Sequence, residues 1–149
     1  MRKHLLITIA CIVLANLIFA QAPSNDNCSG LIDLGPAPVC PGTIFSNANA
    51  SATDIGAFNA PACFPNGAPQ HDVWFAFTCP DTLLDFRITL TAAGASPIQN
   101  PQLAIYRGDC QCDGLALLKC LEETAGGNAV TFDIQGLSGG IQYYLRVSD

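Results

Sequence analysis

Five consecutive residues, Gly136-Leu137-Ser138-Gly139-Gly140, reproduce the G-x-S-x-G pattern that can make a serine nucleophilic. That chemistry needs a strand before the serine, a helix after it and a histidine further along to take the proton. Residues Ile141 to Val147 instead alternate apolar and polar, as a strand does, and no histidine follows Ser138. The segment therefore reads as a hairpin connection whose glycines supply positive φ angles. His71 stands beside Asp72, but neighbours in a strand project to opposite faces, so adjacency alone makes no dyad. A general base also needs a nucleophile within hydrogen-bond reach. No enzymatic activity is expected of this chain.

Metal chemistry has few donors to draw on. Beyond the first twenty residues His71 is the sole histidine, too few for a four-coordinate zinc site unless cysteines stay reduced. Calcium takes carboxylate and amide oxygens from irregular loops, and Asn25-Asp26-Asn27 and Asp109 with Asp113 offer such oxygens, though not at EF-hand spacing. Turn capping is the commoner employment of Asn and Asp and is the favoured reading. No cofactor is required; calcium is the ion these loops would accept. Asn27-Cys28-Ser29 and Asn49-Ala50-Ser51 fit the N-glycosylation pattern, which matters only in a eukaryotic host.

Aromatic rings raise a third chemistry, stacking on the apolar faces of a polymer. Alternation over residues 73–78 puts Val73, Phe75 and Phe77 on one face and Trp74 with Ala76 on the other. Trp74 and Tyr144 are accordingly the ligand-binding candidates, on a second and less buried sheet face. Core packing competes strongly for rings of this size.

Compartment follows from the amino terminus. Arg2 and Lys3, an apolar run from Leu5 to Phe19 and small Ala20 form the three parts of a secretory leader over residues 1–20. The run is shorter than the ~20 residues that cross a bilayer comfortably. Cleavage after Ala20 would leave 129 of the 149 residues, one domain over residues 21–149 with no stable membrane insertion. It would also remove Arg2 and Lys3, so that four basic residues face twelve acidic ones, a net charge of −8. Nucleic acid and anionic lipid, which bind through clustered Lys and Arg, are excluded as partners.

Seven cysteines remain: Cys28, Cys40, Cys63, Cys79, Cys110, Cys112 and Cys120. In an oxidising compartment, thiols at these intervals become disulfides. An odd number leaves one over. Cys110 is expected to pair with Cys120, with Cys112 unassigned and Cys28, Cys40, Cys63 and Cys79 as further disulfide candidates.

The elements that must position these residues are strands. Leu84-Phe86-Ile88-Leu90, Val130-Phe132-Ile134 and Ile141-Tyr143-Leu145-Val147 are apolar at every second position. Val73 to Thr78 is apolar on both faces, as a central strand is, and Leu103 to Tyr106 and Leu115 to Leu118 are shorter candidates. Leu115 to Leu121 could instead form one helical turn between disulfide cysteines. Residues 47–70, interrupted by Pro61, Pro65 and Pro69, read as an extended surface loop pinned through Cys63. The expected fold is all-β: a two-sheet antiparallel sandwich, jelly-roll-like and disulfide-containing.

Several pieces in order resemble one family: Asn25-Asp26-Asn27-Cys28, His71-Asp72-Val73-Trp74-Phe75-Ala76-Phe77-Thr78, Leu103-Ala104-Ile105-Tyr106-Arg107-Gly108-Asp109-Cys110, Leu117-Leu118-Lys119-Cys120 and Tyr143-Tyr144-Leu145-Arg146-Val147. Together they look like the bacterial pre-peptidase C-terminal domains found in secreted multidomain Bacteroidota surface proteins. The resemblance implies a non-catalytic binding or attachment module, secreted or at the cell surface, contacting extracellular protein or polysaccharide. The alternative role is a structural spacer in a larger exported enzyme or adhesin. Some relatives bind calcium, and Asn25, Asp26 and Asn27 lie where an opening calcium loop would sit. Such domains usually continue past the Tyr-Tyr-x-x-Val strand. The chain is therefore expected to be a fragment lacking its final strand, with further domains in a longer parent.

Overall fold

A computed structural model describes residues 21–38, 44–52, 61, 63, 71–82, 85–93, 100–110, 114–123 and 126–148. Its elements are a 3-10 turn, Cys28–Gly30, and seven strands: β1 (Ile32–Pro36), β2 (Val73–Thr78), β3 (Phe86–Thr91), β4 (Gln102–Arg107), β5 (Ala116–Glu122), β6 (Ala129–Ile134) and β7 (Gln142–Ser148). The strands form a five-stranded sheet in the order β1-β2-β7-β4-β5 and a two-stranded sheet of β3 and β6. All pairings are antiparallel except β1 with β2. That parallel pair is accessible because residues 37–72 supply the long crossover that parallel neighbours need.

The period-2 reading matches β3 from Phe86, β6 from Val130 and β7 from Tyr143; Leu84 lies outside the described residues, and Ile141, 46% exposed, precedes β7. Phe86, Ile88 and Leu90 of β3 and Val130, Phe132 and Ile134 of β6 face the large sheet, while Arg87, Thr89, Thr131 and Asp133 face outward. Opposite them lie Val73, Phe75 and Phe77 of β2, Tyr143, Leu145 and Val147 of β7, and Leu103 and Ile105 of β4. At about 1.5–3 kcal/mol for each fully buried large apolar side chain, this layer is the main source of stability.

Three expectations are corrected. The helical turn considered over Leu115 to Leu121 is strand β5, whose Leu103↔Leu121 and Ile105↔Lys119 pairing with β4 outweighs a short apolar run's helical potential. Gly136 to Gly140 do not close a hairpin, since β6 and β7 lie in different sheets and the segment carries the chain from one to the other. Gly136 and Gly140 do adopt positive φ, at 71° and 70°.

The third correction concerns the cysteines. The disulfides join Cys28 to Cys110 and Cys63 to Cys120. Cys110 and Cys120 cannot meet, because Cys120 pairs across the sheet with Ala104, six positions back from Cys110. At roughly 3.3 Å per residue that is about 20 Å of strand, well beyond disulfide reach. Cys79, a disulfide candidate, is a buried thiol whose Sγ lies 3.6 Å from the Pro80 carbonyl. Cys40 and Cys112 lie outside the described residues.

Candidate binding site

The sequence candidates on the outer face of the large sheet turn out to be structural. Trp74 is fully buried and Tyr144 is 8% exposed, so the expected less buried face is a second core and not an open aromatic platform. Cys28, Ala76, Ala104, Tyr106 and Leu115 complete it, and the two disulfides draw the covering segments onto it. Trp74 packs on Tyr106 with ring centroids 5.7 Å apart. Its indole Nε1 meets no acceptor among the described residues.

At the edge of this core is an ion pair that sequence reasoning missed. Asp72 and Arg146 are 0% and 1% exposed as side chains, with Arg146 Nε donating to Asp72 Oδ2 at 2.7 Å. The guanidinium lies 5.4 Å from the Trp74 ring and hydrogen-bonds the Tyr106 hydroxyl. Burial raises the Tyr106 pKa above its ordinary value, against the opposing pull of Arg146. A signal was present in the strand pattern: Arg146 falls between Leu145 and Val147 in a strand buried on both faces, where a cation needs a buried partner.

The remaining candidates make local contacts, Asn27 through its carbonyl, which accepts from the Gly30 amide at 2.9 Å. His71 is exposed and its carbonyl accepts from Asn47 Nδ2, while Asp72 is buried. The Ser138 amide donates to the Tyr143 hydroxyl at 2.8 Å, which fixes the inter-sheet connection. Asn25 is buried and embraces Trp74: its carbonyl accepts from the Trp74 amide and its Nδ2 donates to the Trp74 carbonyl. Asp26 accepts from the Ser51 amide at 2.5 Å and the Ser51 hydroxyl at 2.9 Å, tying down residues 44–52. No group of three or more His, Cys, Asp or Glu side chains suited to a metal ion occurs among the described residues.

A different feature has the dimensions of a site. Two strands cannot cover five. Lys119 of β5 reaches across to the Asp133 carbonyl and lies 5.2 Å from the Phe132 ring, which holds β6 against the β5 side of the large sheet. Among the described residues the opposite side carries no strand of the small sheet. There, a cleft of about 610 Å³ lies between β3 and the β1–β2 portion of the large sheet. Leu34, Phe75, Phe77, Phe86, Ile88 and Leu90 supply its apolar walls, and Ile44 to Ala48 form a strap at one side. Phe45 of the strap meets Phe75 edge-on at 4.9 Å and remains 37% exposed, while Ile44 beside it is 74% exposed.

Arg87 is the one charged side chain among the described lining residues of the cleft, and Asp133 engages it through two hydrogen bonds at 2.8 and 3.0 Å. That pairing raises the Arg87 pKa and lowers that of Asp133, keeping both charged. The volume falls within the range of ligand pockets. Nothing in the described lining pairs a nucleophile with a base.

Fold and cleft together define the class: an all-β sandwich with two disulfides, which mark an oxidising environment, and an apolar opening along one side. Comparisons with protein-family models, curated proteins and solved structures return no match. No helix among the described residues is long and apolar enough to cross a membrane.

Proposed function

We propose that this chain is a non-catalytic binding module of a secreted or cell-surface protein, contacting extracellular protein through the cleft between β3 and β1–β2. The observation that carries the reading is exposed apolar surface, Ile44 and Phe45, at the mouth of a cleft walled by half-buried Leu34, Phe86, Ile88 and Leu90 and floored by buried Phe75 and Phe77. A contiguous apolar opening of this kind favours a ligand. The leader-like first twenty residues, the disulfides and the ordered motifs that resemble exported β-sandwich modules support the compartment. Polysaccharide is the less favoured partner, because the rings expected to stack on sugars are buried.

The test is binding of an environment-sensitive apolar dye, followed by adhesion to immobilised extracellular proteins, for the native chain and for Phe45→Asp. Saturable dye binding and adhesion, both lost in Phe45→Asp while the unfolding midpoint is retained, support the reading. A native chain that takes up no dye and adheres to no protein refutes it.

A further inference from the structure

The cleft has a backbone wall as well as side-chain walls. Ala92 donates its amide to the Asn128 carbonyl at 2.7 Å, directly beyond the Thr91↔Ala129 pair. Hydrogen-bonded and non-bonded pairs alternate in an antiparallel ladder. Phe86, Ile88 and Leu90 therefore direct their backbone groups to β6, and Arg87, Thr89 and Thr91 direct theirs away from it. This outer edge borders the cleft and has no strand beside it among the described residues. It is also regular, with six consecutive pairs to β6 and no shift in register.

The other edges are blunted. β1 carries Gly35 at φ 83° and Pro36, and its register with β2 slips between Asp33 and Pro36. β5 has a bulge at Leu118, which is skipped between the Ile105↔Lys119 and Tyr106↔Leu117 pairs. The far side of β6 is crossed by Lys119 at the Asp133 carbonyl. Bulges, prolines and inward-turned lysines are the devices by which sheets discourage added strands. Among the described residues β3 alone has no bulge, proline or lysine, and its one charge, Arg87, is held by Asp133 of β6.

Resting on the binding-module reading, we propose that the ligand is an extended peptide segment of a partner protein that pairs with the outer edge of β3 as a third strand of the small sheet. Its alternate apolar side chains enter the cleft over Phe75 and Leu34, and its backbone satisfies Arg87, Thr89 and Thr91. Main-chain pairing supplies affinity and the pockets for alternate side chains supply selectivity. A partner with basic flanks is favoured, since the chain carries twelve acidic residues against six basic ones.

The experiment uses the oxidised chain and a synthetic peptide, Lys-Val-Thr-Val-Thr-Val-Lys with blocked ends, alongside the same peptide N-methylated on alternate residues. Saturable binding of the first and not the second, with slowed amide exchange at Arg87, Thr89 and Thr91, supports the proposal. Thr89→Pro, which removes an outward N–H and leaves the bonds to β6, should weaken binding about tenfold or more. Thr89→Ala, which loses the same side-chain contact to Thr131, should change it less than about twofold. If the cleft takes up the apolar dye but the peptide neither binds nor protects those amides, strand addition fails and the binding-module reading stands. If dye and peptide are both refused, the two fall together. Sedimentation showing a dimer that Thr89→Pro abolishes would assign the edge to a second copy and overturn the proposal.

Discussion

Replacing Arg146 by Met should unfold this protein far more readily than its position on a well-packed strand suggests, because the change strands Asp72. The carboxylate is fully buried and receives Arg146 Nε at 2.7 Å. A buried charge deprived of its partner costs about 3–5 kcal/mol. Domains have about 5–15 kcal/mol in total, so the variant should lose about a fifth or more of its stability. With a urea dependence of about 1–3 kcal/mol per molar, the midpoint should fall by about 2 M. Asp72→Leu should cost a similar amount by stranding the guanidinium beside Trp74 and Tyr106. The double variant Asp72→Leu/Arg146→Met removes both charges and should be more stable than either single one. The assay is urea unfolding followed by circular dichroism and by the fluorescence of Trp74, the sole tryptophan. Single variants within about 1 kcal/mol of the parent, or a double variant whose loss equals the sum of the two, would refute the account.

Opening the Cys28–Cys110 disulfide, which closes a separation of 82 residues, should cost about 4–5 kcal/mol by loop-closure entropy, measured as the midpoint difference between the parent and Cys28→Ser/Cys110→Ser. Gly108→Ala should cost about 2–4 kcal/mol, because Gly108 sits at φ 124° and a Cβ would lie 2.0 Å from the Gly114 carbonyl oxygen; thermal unfolding reads the loss. Alkaline titration should destabilise the fold: burial raises Tyr106 and Tyr144 above their ordinary 10.0, so the folded state holds protons that the unfolded chain releases. Stability should be fully retained below pH 10 and decline above it, as tyrosinate absorbance and urea midpoints would show, with a shallower decline in Tyr106→Phe.

The strands were legible because each carries its own periodicity. β3 and β6 alternate cleanly, with apolar residues on one face and Arg87, Thr89, Thr131 and Asp133 on the other. The all-apolar run of β2 announced a strand buried on both sides. What single strands do not encode is their neighbours. The Cys110–Cys120 expectation rested on closeness in sequence, whereas the register of β4 on β5 puts Cys120 opposite Ala104. The exposed-platform expectation for Trp74 and Tyr144 failed for a related reason: alternation says which residues share a face but not whether disulfide-drawn segments cover it. The cleft was invisible at that level too, since it arises from unequal strand numbers in two sheets. Asp72 was noticed for its neighbour His71, although its partner Arg146 is 74 positions away.

The two disulfides overlap along the chain, since Cys63 lies inside the loop closed by Cys28 and Cys110, and Cys120 lies outside it. Their combined consequence is mechanical. A chain pulled from its ends can lengthen only along the shortest covalent path, and between Cys28 and Cys120 that path crosses one sulfur bridge and the short run from Cys110 to Cys120. The 82-residue separation spanned by the first bridge, worth roughly 290 Å of slack at about 3.5 Å per residue, never enters the load path while the bridge holds. Under tension β6 and β7, which follow Cys120, would extend while β2 and β4 stayed shielded, and reduction of the Cys28–Cys110 bond alone would shift the load to the Cys63–Cys120 bridge, replacing a 10-residue run with one of 35 and releasing about 90 Å.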